Sequence, residues 1–201
     1  MGTKERRKRE IEEMRLEIIE AAVQLFLTDG YENVSMRKIA KQIDYSPTAI
    51  YNYFANKEEI LIHLLRHGYS IFLTSLKEGV AKCESQDVVE RLKASLHAYI
   101  EFGLNHPDYY RLIFIENLHQ LQKVLTDEDD RVRGFVLLTE MVIEARNAGV
   151  LKLHDPHMAA QSLWASLHGI TSLLITFPDF SWHEKEAFVT FQVDAMIKGL
   201  S

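Results

Sequence analysis

Apolar residues return at intervals of three and four along almost the whole chain, and nowhere do they alternate with polar ones over the length of a strand. That periodicity confines the chain to packed helices, so the expected fold is all-α, with about nine helices and no sheet. Ile11, Met14, Ile18, Ala22, Leu25 and Phe26 mark a first helix from about Arg7 to Asp29, and Gly30 follows as its stop. Ser35 is a good N-cap for a two-turn helix whose apolar face is Met36, Ile39, Ala40 and Ile43. Asp44 and Tyr45 make a tight turn, after which Ser46 and Pro47 supply a cap and a first-turn proline. Asn56 caps a fourth helix, with Glu58 and Glu59 where the helix dipole favours them. Its apolar positions, from Ile60 and Leu61 to Leu76, carry it to about Cys83.

Further helices are expected over about Asp87–Asn105, Pro107–Val124, Asp129–Ala148, Pro156–Phe177 and His183–Leu200, punctuated by Gly149, Pro156 and Pro178. The acidic run Thr126–Asp130 reads as an exposed loop or a helix start. The organisation expected is an N-terminal three-helix domain over residues 1–55, joined without a flexible linker to a larger helical bundle over 56–201.

The stretch SPTAIYNYFANKEEI, Ser46 to Ile60, concentrates aromatic, amide and charged side chains. At about 100° per residue its helix sorts them onto two arcs. Ala49, Ile50, Tyr53 and Phe54 fall on one; Pro47, Thr48, Tyr51 and Asn52 fall on the other. The first arc can pack against Leu25, Phe26, Ile39 and Ile43, leaving the second outward. Two short helices joined by a tight turn and supported by a third make a helix-turn-helix unit, whose second helix can enter a DNA major groove. Thr48 and Asn52 can bond base edges or phosphates, Pro47 can meet a thymine methyl, and the Tyr51 hydroxyl can reach a phosphate. Lys57 stands at the next helix N-terminus, where backbone N–H groups and a cation can converge on one phosphate. The alternative on spacing alone is an ordinary helical hairpin with two exposed tyrosines.

The segment Arg15 to Leu61, above all AAVQLFLTDGYENVSMRKIAKQIDYSPTAIYNYFANKEEIL, resembles the DNA-binding domain of the TetR family of bacterial repressors. The matching elements are Ala22, Leu25-Phe26, Gly30-Tyr31, Ser35, Ile39-Ala40, Ser46, Ile50-Tyr51, Tyr53-Phe54 and Lys57-Glu58. The resemblance covers about a quarter of the chain and departs in the turn, where the family usually has glycine and this chain has Asp44. Aspartate tolerates a left-handed backbone better than most residues, so the turn is expected to survive. The resemblance implies DNA contacts at Ser35, Arg37, Ser46, Pro47, Thr48, Tyr51, Asn52, Tyr53 and Lys57.

In the C-terminal part WASLHG, Trp164 to Gly169, resembles the W-x-x-x-H-G signature of one TetR subgroup, and NHPDYYRLIF, Asn105 to Phe114, resembles its upstream segment. Proteins of this type are dimeric and respond to small, mostly apolar molecules, which implies a homodimer acting on a double-stranded operator and released by a small hydrophobic or aromatic effector. Tyr99, Phe102, His106, Tyr110, Phe114, Trp164 and His168 are the candidate effector-binding residues, although an aromatic stripe at helical spacing also makes plain core. The last two helices are the candidate dimer interface, through Leu163, Leu167, Ile170 and Leu174 on one and Phe188 and Phe191 on the other. A helical carrier or protein-interaction module without DNA binding is the competing class.

The net charge of −6 opposes wholesale attraction to nucleic acid, but it is unevenly divided. Ten basic against nine acidic residues stand up to Lys57, leaving thirteen basic and twenty acidic beyond it. Basic residues crowd KERRKRE, Lys4 to Glu10, which reads either as a flexible arm that can reach a phosphate backbone or as a solvated helix start. Cys83 is the only cysteine, suiting a reducing compartment, and no secretory signal or comfortable membrane span is apparent, so a cytoplasmic protein without membrane partners is expected. The pairs His63/His67 and His154/His157 lack the further ligands of a closed metal site, and no phosphate-binding loop, G-x-S-x-G or HExxH pattern is present. No cofactor, metal or enzymatic activity is therefore expected.

Overall fold

The computed structural model describes residues 3–116, 130–152 and 154–200. Among these, nine α-helices and no strand are found: α1 Thr3–Asp29, α2 Met36–Gln42, α3 Pro47–Ile50, α4 Lys57–Lys82, α5 Val88–Asn105, α6 Pro107–Tyr110, α7 Asp130–Asn147, α8 Pro156–Thr176 and α9 Lys185–Lys198. By their contacts they form two compact units. One takes in the chain as far as Gly68 together with the stretch from Asp108 to Glu116; the other takes in Tyr69–Pro107 and the described residues from Asp130 onward.

In the first unit α1 packs on α2 and α2 on α3, around buried Ile18, Ile19, Ala22, Leu25 and Phe26 of α1, Ile39 and Ala40 of α2 and Ile50 of α3; Phe54 and, on α4, Ile60, Leu61 and Leu64 are buried as well. It begins at Thr3 rather than near Arg7, so the basic run is helical and not a flexible arm. Gly30 ends it with φ of 78°, its N–H donating to the Phe26 carbonyl. The α2–α3 connection is a Schellman turn: the Tyr45 N–H reaches the Ala40 carbonyl at 2.9 Å and the Asp44 N–H reaches Lys41 at 3.3 Å. Asp44 has φ of 57°, the left-handed conformation that its position in the turn requires.

The sixth helix departs from expectation. After Tyr110 the chain widens into a π-helical turn, Arg111–Ile115, and the expected end near Val124 lies outside the described residues. Most of the acidic run Thr126–Asp130 also lies outside them; Asp130 opens α7. The α6 segment belongs to the first unit through concrete contacts: Gln24 Nε2 donates to Asp108 Oδ2 at 2.7 Å, and the His67 and Tyr109 rings meet edge to face.

In the second unit α5 packs on α7, α8 and α9, and α7 packs on α8. The core joins Leu92, Leu96, Tyr99, Ile100 and Phe102 to Val142, Ala145, Leu163, Leu167, Leu174, Val189 and Val193. Two close approaches set its spacing. A Cβ on Gly79 would lie 2.4 Å from the Cβ of Ala98, and one on Gly134 would lie 2.5 Å from the Phe72 ring. No helix among the described residues is long and apolar enough to cross a membrane.

Candidate nucleic-acid interface

Ser46 begins the recognition segment: its Oγ accepts from the Ala49 N–H at 3.1 Å, and Pro47 follows in the first turn. α3 closes early, but turns continue it, with Tyr53 and Phe54 N–H groups both reaching the Ile50 carbonyl. Ile50 and Phe54 are fully buried, while Ala49 and Tyr53 are half-buried. Thr48, Tyr51 and Asn52 are exposed, Tyr51 to 55%, and Pro47 is half-exposed beside them. The segment is therefore anchored along one edge and leaves a hydroxyl, a phenol and an amide side by side along the other. These groups can donate to and accept from base edges and phosphates.

α2 supplies a second edge. Ser35 caps it, accepting from the Lys38 N–H at 3.3 Å, and its short side chain stays at the surface. Arg37 is exposed and has no ion-pair partner among the described residues, whereas Lys38 is held by Asp29. That pairing keeps the Asp29 carboxyl below the usual carboxylate range, first through the hydrogen bond from Lys38.

Lys57 is more embedded than its sequence position suggests. Its Nζ donates to the Tyr31 carbonyl at 2.9 Å and stands 4.2 Å from the centre of the Tyr31 ring. The Tyr31 hydroxyl in turn donates to Glu58 at 3.0 Å, and burial raises its pKa further above the ordinary phenol value than that bond alone does. An ammonium has three hydrogens, so one on Tyr31 leaves others for a phosphate. The start of α4 is fixed by Asn56, whose Oδ1 accepts from Glu59 N–H at 2.8 Å, and by Glu59, whose carboxylate accepts from Ala55 N–H at 2.6 Å.

One group was missed from sequence. Arg15 of α1 lays its guanidinium 4.7 Å from the centre of the Phe54 ring, 3.7 Å from Glu59 and 3.3 Å from His63 Nε2. It ties α1 to the end of the recognition segment and the start of α4. Its signal was a charge interrupting the apolar face between Ile11, Met14 and Ile18. Burial, then the Arg15 charge, lowers the His63 pKa.

The predicted effector residues do not gather into one group within either unit. In the second unit Tyr99 and Phe102 are buried against Phe72, with ring centres 5.5 and 5.1 Å apart, and His106 lies half-buried beside Phe102. Trp164 is exposed to 43% and meets Phe135; His168 is half-buried, and desolvation lowers its pKa. Tyr110 and Phe114 pair in the first unit. A cleft of about 570 Å³ in the second unit, lined by Lys82, Glu90, Lys93, His97, Glu101 and Asp194, contains none of the predicted residues.

The predicted dimer residues divide likewise. Leu163, Leu167 and Leu174 face the interior of their own unit, Ile170 and Phe188 are half-buried, and Phe191 is 69% exposed. The outward face of α8 is instead Met158, Ser162, Ala165, Gly169, Leu173 and then Phe177, without a charged residue anywhere in the helix. Phe180, 62% exposed, packs at a tilt on Trp182, whose indole N–H is fixed on the Phe177 carbonyl at 2.8 Å.

Comparison with known proteins agrees with this architecture. A sequence model of bacterial regulatory proteins of the tetR family matches residues 18–64, and one of the tetracyclin repressor-like C-terminal domain matches residues 92–196. A helix-turn-helix type transcriptional regulator of Staphylococcus aureus strain MRSA252 is 24% identical over 163 residues, 75% of this chain and 86% of that protein. The fatty acid metabolism regulator protein of Bacillus subtilis strain 168 is 27% identical over 160 residues, 76% of this chain and 78% of its own. Among solved structures, the fatty acid degradation regulator FadR from Bacillus halodurans superposes with a TM-score of 0.73 at 24% identity, covering 91% of this chain and 94% of that one. With its C-terminal match alone spanning more than half its length, the chain belongs to the TetR family of DNA-binding transcriptional regulators.

Proposed function

We infer that the protein is a dimeric repressor that holds a palindromic operator through residues 1–55 and releases it when a small hydrophobic molecule enters the domain formed by residues 56–201. The observation carrying this reading is the exposed row Thr48, Tyr51 and Asn52 on a segment locked from behind by buried Ile50 and Phe54. Ser35, Arg37, Ser46, Pro47, half-buried Tyr53 and Lys57 flank that row as positioning and phosphate contacts. Two such segments related by a two-fold axis would occupy successive major grooves about 34 Å apart.

The effector is an apolar molecule of acyl or aromatic type. Supporting this are the Phe72, Tyr99 and Phe102 aromatic group, and relatives whose names refer to fatty acid metabolism and degradation. The resemblance of WASLHG and NHPDYYRLIF to the W-x-x-x-H-G subgroup points the same way. Bound effector would favour an arrangement in which the two recognition segments no longer match the groove spacing, so effector and operator weaken each other reciprocally.

The test uses fluorescent duplexes tiled across the region upstream of the protein's own gene. Wild-type protein binds one of them selectively; Asn52→Ala loses about 1–3 kcal/mol of discrimination against an arbitrary duplex without a change in melting temperature. If Thr48→Ala and Asn52→Ala leave the affinity for every duplex unchanged, the reading face is misassigned.

A further inference from the structure

Nearly three turns at the start of α1 project from their unit. Every described side chain from Lys4 to Glu13 is exposed, and packing begins only at Met14 and Arg15. At 1.5 Å per residue about 15 Å of helix is thus unsupported by the core, a length that is marginal as a helix in water. Its charges also oppose its dipole. Lys4, Arg6, Arg7, Lys8 and Arg9 outnumber Glu5 at the positive end, with Glu10, Glu12 and Glu13 behind them. Neither packing nor the dipole explains why the segment is built this way.

The pairing pattern does. At 100° per residue Lys4, Arg7 and Lys8 share a face with Arg15, while Arg6 and Arg9 lie on the opposite one. The opposite face is neutralised within the helix, by Arg6–Glu10 at 3.2 Å and Arg9–Glu13 at 3.4 Å. Lys4, Arg7 and Lys8 have no ion-pair partner among the described residues. Arg15 fixes where their face looks, because its guanidinium rests on the ring of Phe54, the residue that ends the recognition segment. In a chain of net charge −6, three unpaired cations therefore line the side of α1 that adjoins the groove-reading helix.

We propose that Lys4, Arg7 and Lys8 form a cationic helical arm that grips the phosphate backbone of duplex DNA beside the recognition segment. Lys4 and Lys8 are one turn, about 6 Å, apart, close to the rise of two phosphates along one strand. The arm adds affinity without sequence preference, and it rests on the DNA-binding reading above.

The experiment measures anisotropy of a 30-base-pair duplex of arbitrary sequence against KCl from about 25 to 200 mM, using the full chain. In the triple variant Lys4→Gln, Arg7→Gln, Lys8→Gln the slope of log affinity against log salt falls by about 2.7 per protomer, roughly 0.9 for each lost contact. Arg6→Gln with Arg9→Gln, on the paired face, changes it by no more than a few tenths. The triple variant melts no lower than wild type, because it removes cations from the positive end of a dipole. A wild-type slope in the triple variant overturns the proposal, as does an equal loss in both variants, which would make it bulk charge. If the triple variant instead loses binding to vesicles of phosphatidylserine and phosphatidylcholine while its DNA slope is unchanged, the arm is a membrane contact and the proposal falls. Wild-type protein that shows no salt-dependent DNA binding would remove the DNA reading itself.

Discussion

Replacing Lys57 by alanine is expected to lower both the melting temperature and the salt dependence of DNA binding, by amounts that can be told apart. The ammonium donates to the Tyr31 carbonyl at 2.9 Å and lies 4.2 Å from the ring centre. A cation over a tyrosine ring contributes about 0.5–2 kcal/mol and a charged hydrogen bond about 1.5–3 kcal/mol. One group makes both contacts at a partly exposed site, so the loss is nearer 1–3 kcal/mol than their sum. For a chain of this size each kcal/mol moves the melting temperature by roughly 2–4 °C, so a fall of about 2–12 °C is expected in calorimetry. Loss of one phosphate contact lowers the salt slope by about 0.9. Lys57→Arg should preserve both quantities, and Tyr31→Leu should lower the melting temperature with the slope intact. A lower melting temperature with an unchanged slope in Lys57→Ala would refute the phosphate role and leave Lys57 as a strut for the Tyr31 turn. No change in either would refute the whole account.

Asp44→Gly relieves a left-handed residue at φ of 57° but loosens the unfolded chain, so denaturant titration should show a gain of at most about 1 kcal/mol; β-branched Asp44→Val should lose about 1–3 kcal/mol. Gly79→Ala places a methyl 2.4 Å from the Ala98 Cβ, and overpacking of about 1–3 kcal/mol outweighs about 1 kcal/mol of helix propensity; Ala98→Gly in the same chain should restore the fit. His63, His67 and His168 all have pKa values lowered, first by burial, so the unfolded chain binds more protons below its ordinary value of 6.5. Stability is therefore complete above that value and declines as pH falls below it. The melting temperature at pH 5.5 should lie below that at pH 7.5, where carboxylates are ionised at both ends of the window, and His63→Gln with His67→Gln should flatten the difference.

The recognition segment was legible because local rules fixed it. Ser35, Ser46 and Asn56 declared their helix starts, and the 100° repeat separated Ile50 and Phe54 from Thr48, Tyr51 and Asn52. Asp44 could be read as left-handed because the family resemblance places a glycine at that point of the turn. What escaped were contacts between residues distant in the chain. Arg15 meets Glu59 and His63 across more than forty positions, and Lys57 reaches back to Tyr31, so neither pairing leaves a periodic trace. The π-helical turn after Tyr110 escaped for another reason: RLIFI is an ordinary apolar helical run, and nothing in its composition announces a widened backbone.

The face of α8 shows where periodicity fails in principle. Pro156–Thr176 contains no Asp, Glu, Lys or Arg, so its apolar pattern has no charged side from which to orient it. Leu163, Leu167 and Leu174 turn inward, and the outward side carries Met158 and Leu173, 64% and 47% exposed, with Ser162, Ala165 and Gly169 between them. An uncharged outer face that exposes Met158 and Leu173 gains by being covered, and a two-fold copy of the same helix is the covering surface most economical in sequence. Leu173→Asp with Phe191→Asp should therefore convert dimers to monomers in analytical ultracentrifugation with the helical content unchanged, since both side chains lie outside the core. The same variant should bind an operator duplex about 10²–10⁴-fold more weakly, because the two half-sites are no longer held by one linked body. A variant that still sediments as a dimer would place the interface elsewhere. A monomer that kept wild-type affinity would sever dimerisation from DNA reading and overturn the proposed two-fold arrangement of recognition segments.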